Sequence, residues 1–371
     1  MADLNNNLFK YATKELSQDA VICWILNWVN YPQNELYSLG RELLDAINDE
    51  ELNNWEEIKI YQQKKKADIV VVIPSQKKII IIEDKVYSSE HDNQIETYKN
   101  EFEKLNTQKE ELGIETDNPY RVLTVYLKTG FFYDADKLVK ANYIINGNKF
   151  YDIVSKPRYK GKSEILDCYV EYLSDLLGWY DKNSYIPAKY EGGKVYCISR
   201  EAYIQFLLMR YIFPEDLWDK DKKSVAYRVY NGSSSGRPWT ELDIAEPYTY
   251  SDSEDKYELF WRIDTSTKGP YLSFRFYEVF DKCDESKKDR HKNHYDNLLN
   301  MTKGIVDSLE EAFGVSWNSV TNEYTGNYNE SALITIELNE YLENWDEKKT
   351  ILAKYIRTFS ERVVSQMKTQ R

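Results

Sequence analysis

The chain has 371 residues, of which 42% are hydrophobic, 15% aromatic and 30% charged, a mix that can bury a large core and excludes a mainly disordered polypeptide. A formal charge of -13 argues against coating nucleic acid by bulk electrostatics and leaves only local basic patches for such a role. The longest apolar runs, Ile69 to Pro74 and Ile79 to Ile82, fall far short of the ~20 residues that cross a bilayer, and Met1 to Lys10 lacks the pattern of a signal peptide. A cytoplasmic protein with no membrane partner is therefore expected. Cys23, Cys168, Cys197 and Cys283 are scattered singly, without the close pairs of a zinc or redox motif, and read as reduced thiols.

Ser17, followed by Gln18 and Asp19, predicts a helix N-terminus, with the helix running to about Asn30 and carrying Val21, Trp24, Ile25 and Trp28 on one face. A second helix is predicted from Glu35 to Asn48. Three strands follow, Ile58 to Gln63, Asp68 to Ile73 and Lys78 to Lys85. The last two are nearly continuous β-branched runs, as a strand buried on both faces requires. Next come a polar helix from His91 to about Glu111, a strand from Arg121 to Lys128 and a helix from Ser163 to Leu177. This α, β, β, β, α, β order describes an α/β core in residues 1–180.

Beyond the loop Lys182 to Gly193 the texture changes, and residues 194–371 read as an α+β accessory region that either binds substrate or packs onto the core. A helix containing Tyr203, Phe206, Leu207 and Tyr211 precedes a loop at Asn231 to Gly236. Tyr257 to Asp264 and Tyr271 to Phe280 form a predicted hairpin, with Leu259, Trp261 and Ile263 on one face of the first strand and Leu272, Phe274 and Phe276 on one face of the second. Leu333 to Leu338 reads as a strand and Glu347 to Met367 as an amphipathic helix.

The chemistry lies at the first hairpin. With Ser75 and Gln76 at its tip, Pro74 faces Lys77 and Asp68 falls opposite Glu83, their Cβ atoms about 4.5 to 5.5 Å apart. Lys85 shares that face and Asp84 points to the other. Two carboxylates so close repel unless a proton or cation lies between them. The arrangement suits metal-assisted hydrolysis of a phosphodiester, with a hard divalent cation on the carboxylates and lysine beside the attacking water. Taken alone, the spacing is a weak signal and favours an ordinary solvated salt bridge among Asp, Glu and Lys at a strand edge.

After this Glu83-Asp84-Lys85 run, Gln94 and Tyr98 stand four apart on a predicted helix, on one face. In these elements the sequence resembles the PD-(D/E)XK nuclease superfamily, and within it the nucleases with an added Gln-x-x-x-Tyr motif. The resemblance covers roughly Leu8 to Lys128, and its strength is the order of five elements rather than any one of them. It implies a restriction-endonuclease-like fold with a mixed central sheet, Asp68 and Glu83 as metal ligands, and Lys85 as the catalytic lysine. Gln94 and Tyr98 would support the site or the nucleic-acid backbone, and Glu15, from the first helical region, would complete the metal site. Ala67 replaces the proline of the family name, and the four cysteines do not resemble an iron–sulfur spacing, so no cluster is expected.

The resulting expectation is a Mg²⁺-dependent nuclease, with Mn²⁺ as a substitute, acting on DNA more readily than RNA. A homodimer is compatible with it, and family context points to defence against mobile elements. The alternative is a catalytically silent module that binds nucleic acid or a protein partner. Lys64, Lys65 and Lys66, with Arg262 and Arg275, offer a local basic path for substrate. His91 precedes the Gln94 helix, whereas His291 and His294 lie in a segment, Lys287 to His294, that reads as solvated and basic. The 32 tyrosines include many in the second half, where stacking on unpaired bases is one reading and core packing explains most of them equally well.

Overall fold

The computed structural model describes residues 7–12, 15–53, 56–90, 93–105, 112–113, 119–133, 135–182, 198–212, 228–234, 237–244, 248–249, 256–266, 269–278, 285–314 and 330–369. The chain divides into two compact units, Met1–Lys182 and Asn183–Arg371.

The first unit opens with helix α1 (Glu15–Asn27), a 3-10 turn (Trp28–Asn30) and helix α2 (Tyr37–Asp45). Ser17 lies inside α1 rather than capping it, because the helix begins with the acidic Glu15, which suits the positive end of the dipole. Strands β1 (Lys59–Lys64), β2 (Ala67–Ile73) and β3 (Lys78–Lys85) follow, then helix α3 (Gln94–Leu105) and strand β4 (Arg121–Lys128). Residues 91–92 and 106–111, to which the sequence extends α3, lie outside the described residues, and His91 with them.

A short strand, β5 (Tyr143–Asn146), and helix α4 (Gly147–Val154) were not legible in the sequence. Four residues are too few to show a period, and the helix start is marked only by Asn146, whose side chain accepts from Lys149 N–H. Glycine is required at 147 because a β-carbon there would come within 2.3 Å of the Thr129 carbonyl oxygen. Helix α5 (Glu164–Lys182) closes the unit.

The five strands form one mixed sheet in chain order, antiparallel from β1 to β3 and parallel from β3 to β5. The β2–β3 register is the expected one: Ile69 pairs with Ile82 and Ile73 with Lys78, around the turn Pro74 to Lys77. Both strands are buried on both faces. Ile69, Val71, Ile73, Ile80 and Ile82 join the core made with α1, α2, α4 and α5, while Val70, Val72, Ile79 and Ile81 pack with Tyr98 and Phe102 of α3. The β-branched runs thus lie between two layers of helix.

The second unit holds α6 (Ile198–Ile212), β6 (Arg228–Ser234), β7 (Arg237–Asp243), β8 (Tyr248–Thr249), β9 (Lys256–Ser266), β10 (Gly269–Glu278), α7 (Glu285–Phe313), β11 (Glu330–Glu337), α8 (Asn339–Glu343) and α9 (Trp345–Thr369). Its sheet runs β11-β10-β9-β7-β6, with β8 beside β9. In the predicted hairpin Trp261 pairs with Phe274 and Leu259 with Phe276, and this apolar face packs against α6, α7 and α9.

Two expectations are corrected in this unit. Asn231 to Ser234 are strand, not loop, because their backbone ladder to β7 outweighs the weak strand preference of Gly and Ser. Lys287 to His294 belong to α7 rather than a solvated segment: His291 is fully buried against Phe276 at 4.8 Å, His294 packs on Tyr257 at 4.6 Å, and Arg290 pairs with the buried Glu278 at 2.7 Å. Among the described residues, no helix is long and apolar enough to cross a membrane.

Candidate active site

The buried strand β3 ends in Glu83-Asp84-Lys85, and all three side chains are out of solvent. Alternation sends Glu83 and Lys85 to the α3 face and Asp84 to the α1 face. Lys85 Nζ forms an ion pair with Glu83 Oε1 and lies 3.8 Å from Asp68 Oδ2, so the sequence-predicted triplet does meet on one face. Asp68 is held from two sides: its Oδ2 accepts from Asp84 N–H at 2.9 Å and its Oδ1 from Gln63 Nε2 at 3.2 Å. Glu83 Oε2 has no hydrogen-bond partner among the described residues.

Burial pushes the Glu83 carboxyl up to about 7, against the pull of Lys85 and with the help of the Asp68 and Glu15 charges. Burial also disfavours the Lys85 cation, but the charges of Glu83, Asp68 and Glu15 outweigh it and raise the lysine pKa. Glu15 reaches the same end of β3 from the first turn of α1, where its Oε1 accepts from Val86 N–H at 3.0 Å and Ser88 Oγ at 3.2 Å. Tyr98 of α3 is buried, and its phenol is raised by burial and then by the negative charges of Glu83 and Asp68; the Gln94 side chain hydrogen-bonds to it. Gln94 Oε1 has no partner among the described residues.

The opposite face carries a second polar cluster that sequence reading missed. Gln18 Nε2 donates to Asp84 Oδ1 at 2.6 Å, while Gln18 Oε1 accepts from Thr129 Oγ1 at 2.6 Å and Tyr169 OH at 3.0 Å. Beside it the buried Asp19 accepts from Gln63 Nε2 at 3.0 Å, so one amide joins Asp19 to Asp68. Burial, followed by the Asp68 charge, raises Asp19 to about 6. The available signal was helical: Glu15, Gln18 and Asp19 stand at i, i+3 and i+4 on one face of α1.

A third cluster adjoins the site on β4, where Lys128 is the register partner of Lys85. Lys128 and Asp136 are both fully buried and pair at 2.7 Å, and Asp136 also accepts from Tyr126 OH at 2.6 Å and Tyr133 N–H at 2.7 Å. Burial lowers the Lys128 pKa against the opposing pull of Asp136. A lysine closing a mostly apolar strand was its only mark in the sequence.

The basic path expected through Arg262 and Arg275 is corrected. Arg262 is 12% exposed and pairs with Asp264 at 2.9 Å, Glu241 at 3.2 Å and Glu330 at 3.3 Å, and Arg275 pairs with Glu330 at 2.5 Å and Asp264 at 3.3 Å. Three acids on that sheet face already neutralise both guanidinium groups. Cys23 is half-buried and Cys168 buried, as free thiols, and Cys197 and Cys283 lie outside the described residues.

A family model of the PD-(D/E)XK nuclease superfamily matches residues 6–196, more than half of the chain. The chain belongs to the PD-(D/E)XK nuclease superfamily. No curated protein and no solved structure gives a significant match. The matched span includes every sequence-predicted site residue and the α1 cluster behind them. Nucleases of this superfamily generally use divalent metals such as Mg²⁺. Among the described residues no three carboxylate, histidine or cysteine side chains form a metal-holding group. The donors nevertheless fit a hard cation: Asp68 and Glu83 supply oxygen, Glu83 Oε2 is an unpartnered buried acceptor, and Mg²⁺ is commonly held by one or two carboxylates with water and phosphate completing its shell.

Proposed function

We propose that the chain is a divalent-metal-dependent nuclease that hydrolyses phosphodiester bonds of DNA. The observation that carries this reading is the grouping of Lys85, Glu83 and Asp68 on one sheet face, with a Glu83 oxygen left without a partner. Asp68 and Glu83 would hold the ion, Mg²⁺ or in its place Mn²⁺, with Glu15 as the third acid at the same strand end. Bound there, the ion would lower the pKa of a water and offset charge on the phosphoryl group. Lys85 orients the attacking water and screens the developing negative charge. Gln94 and Tyr98 hold the phosphate or the lysine from the α3 side. A role in defence against mobile elements rests on the resemblance alone.

A second reading has one observation in its favour. Lys85 and Glu83 already form an ion pair through Glu83 Oε1, as they would in an inert module whose cluster is only a salt bridge.

Purified protein incubated with supercoiled plasmid, linear duplex, single-stranded DNA and RNA, in Mg²⁺, Mn²⁺ or EDTA, separates the two. The nuclease reading expects cutting that EDTA abolishes and that falls about 10²- to 10³-fold in Lys85→Ala and Glu83→Gln at unchanged fold. Cutting in EDTA, or full activity in either variant, would remove the assignment. Preference for RNA would remove the DNA part of it.

A further inference from the structure

The hairpin between β1 and β2 turns through Lys65 and Lys66, with Lys64 paired to Ala67 across the two-residue loop. Both turn residues are left-handed, at φ 51° and φ 71°. A tight hairpin with positive φ at both central positions is the geometry that Asn-Gly fills readily and that a β-carbon disfavours. Gln63, two residues before Lys65, is left-handed too, at φ 53°. Three of the four residues from Gln63 to Lys66 therefore hold a conformation unfavourable to their side chains, and three of the four are lysines. Strain of this kind persists where the surroundings impose it and clusters at functional sites.

The strained segment is attached to the candidate site. Gln63 Nε2 bonds both Asp19 and Asp68, and the strand leaving the turn carries Asp68 itself. Lys65 and Lys66 are exposed, while Lys64 is half-buried with its Nζ 5.6 Å from the centre of the Tyr61 ring. Among the described residues neither Lys64 nor Lys66 makes an ion pair. In a chain of charge -13, three consecutive lysines stand at this one tight turn, directly before the strand that carries Asp68.

We propose that the Lys64 to Lys66 turn is a contact surface for the sugar-phosphate backbone of the nucleic acid, and that its strained lysines are kept for their charge. The proposal rests on the nuclease reading. Consecutive lysines match a polyanion with regularly spaced phosphates. Lysine reaches phosphate as a point charge, so the contact positions the strand without selecting a sequence.

The test combines stability and binding. The double variant Lys65→Asn/Lys66→Gly supplies the residues the turn prefers and removes two charges; Lys65→Arg/Lys66→Arg keeps both charges. The probe is a fluorescein-labelled DNA duplex of about 24 base pairs, followed by anisotropy in EDTA over roughly 50 to 200 mM KCl. The Asn-Gly variant is expected to melt a few degrees higher, bind about tenfold or more weakly, and show a salt slope smaller by about 2. The Arg variant is expected to bind within about twofold of wild type.

Wild-type affinity and slope in the Asn-Gly variant would overturn the proposal, as would a lower melting temperature there or an equal loss of binding in the Arg variant. If the wild type cuts DNA with Mg²⁺ while its binding ignores the turn, only this inference falls. If it neither binds nor cuts, the nuclease reading falls with it.

Discussion

Replacing Gln18 by leucine, which has a similar volume, is expected to destabilise the first unit by several kcal/mol. Gln18 is 4% exposed and holds three partners that are themselves buried: Asp84 at 2.6 Å, Thr129 at 2.6 Å and Tyr169 at 3.0 Å. Leucine removes all three bonds and leaves a carboxyl group and two hydroxyls in the core without them. Each such group costs about 1–3 kcal/mol, and allowing for partial relaxation the total is about 3–6 kcal/mol. At about 2–4 °C per kcal/mol for a unit of this size, the melting midpoint should fall by roughly 6–24 °C. Gln18→Glu keeps an acceptor for both hydroxyls but sets a second acid against Asp84, so its loss should be smaller at pH 5 than at pH 8. Calorimetry of the full chain, with hydrogen exchange at the β3 amides, measures both. A Gln18→Leu protein that melts within about 2 °C of wild type, with unchanged protection across Glu83 to Lys85, would refute the view that this amide anchors the strand end carrying the site.

The Lys128–Asp136 pair yields a double-mutant cycle: Lys128→Met and Asp136→Asn should each cost about 3–5 kcal/mol, because each leaves the other group buried without its counter-charge. The two together should lose at least about 1 kcal/mol less than the sum, and additive losses in urea titration would show no coupling. Glu83 supplies a pH dependence. Its folded-state pKa of about 7 lies above the ordinary carboxylate value, so the folded chain holds that proton more tightly than the unfolded one. Without metal, stability should therefore decline as pH rises from about 4.5 to 7, and Glu83→Gln should flatten the decline. Metal binding runs the other way, because only the ionised carboxylate is a ligand. Calorimetric titration should find Mg²⁺ affinity rising up to about pH 7 and levelling beyond it; constant affinity from about pH 5.5 to 8 would remove Glu83 from the ligand set.

Much of the site was legible because its information is local. Strand alternation and a short turn are enough to bring Asp68, Glu83 and Lys85 to one face, and four-residue spacing is enough to pair Gln94 with Tyr98. Both follow from backbone periods that do not depend on the rest of the fold. The long β-branched runs declared themselves as β2 and β3 for the same reason. The β5 strand and α4 left little trace, since one is too short for a period and the other begins at a glycine fixed by a backbone close to it in space.

Tertiary structure alone decided which polar residues support that face. Gln18 finds Thr129 and Tyr169 across more than a hundred residues, Asp136 reaches Lys128 only once its loop folds back, and the acids around Arg262 meet it from three strands. Side chains have no long-range period along the chain, so these partners are set by which strands and helices become neighbours. The strain at Lys65 and Lys66 is of the same kind. The residues are plain in the sequence, but their positive φ is imposed by the register of β1 on β2, because closing that ladder with a two-residue loop leaves the backbone no unstrained path.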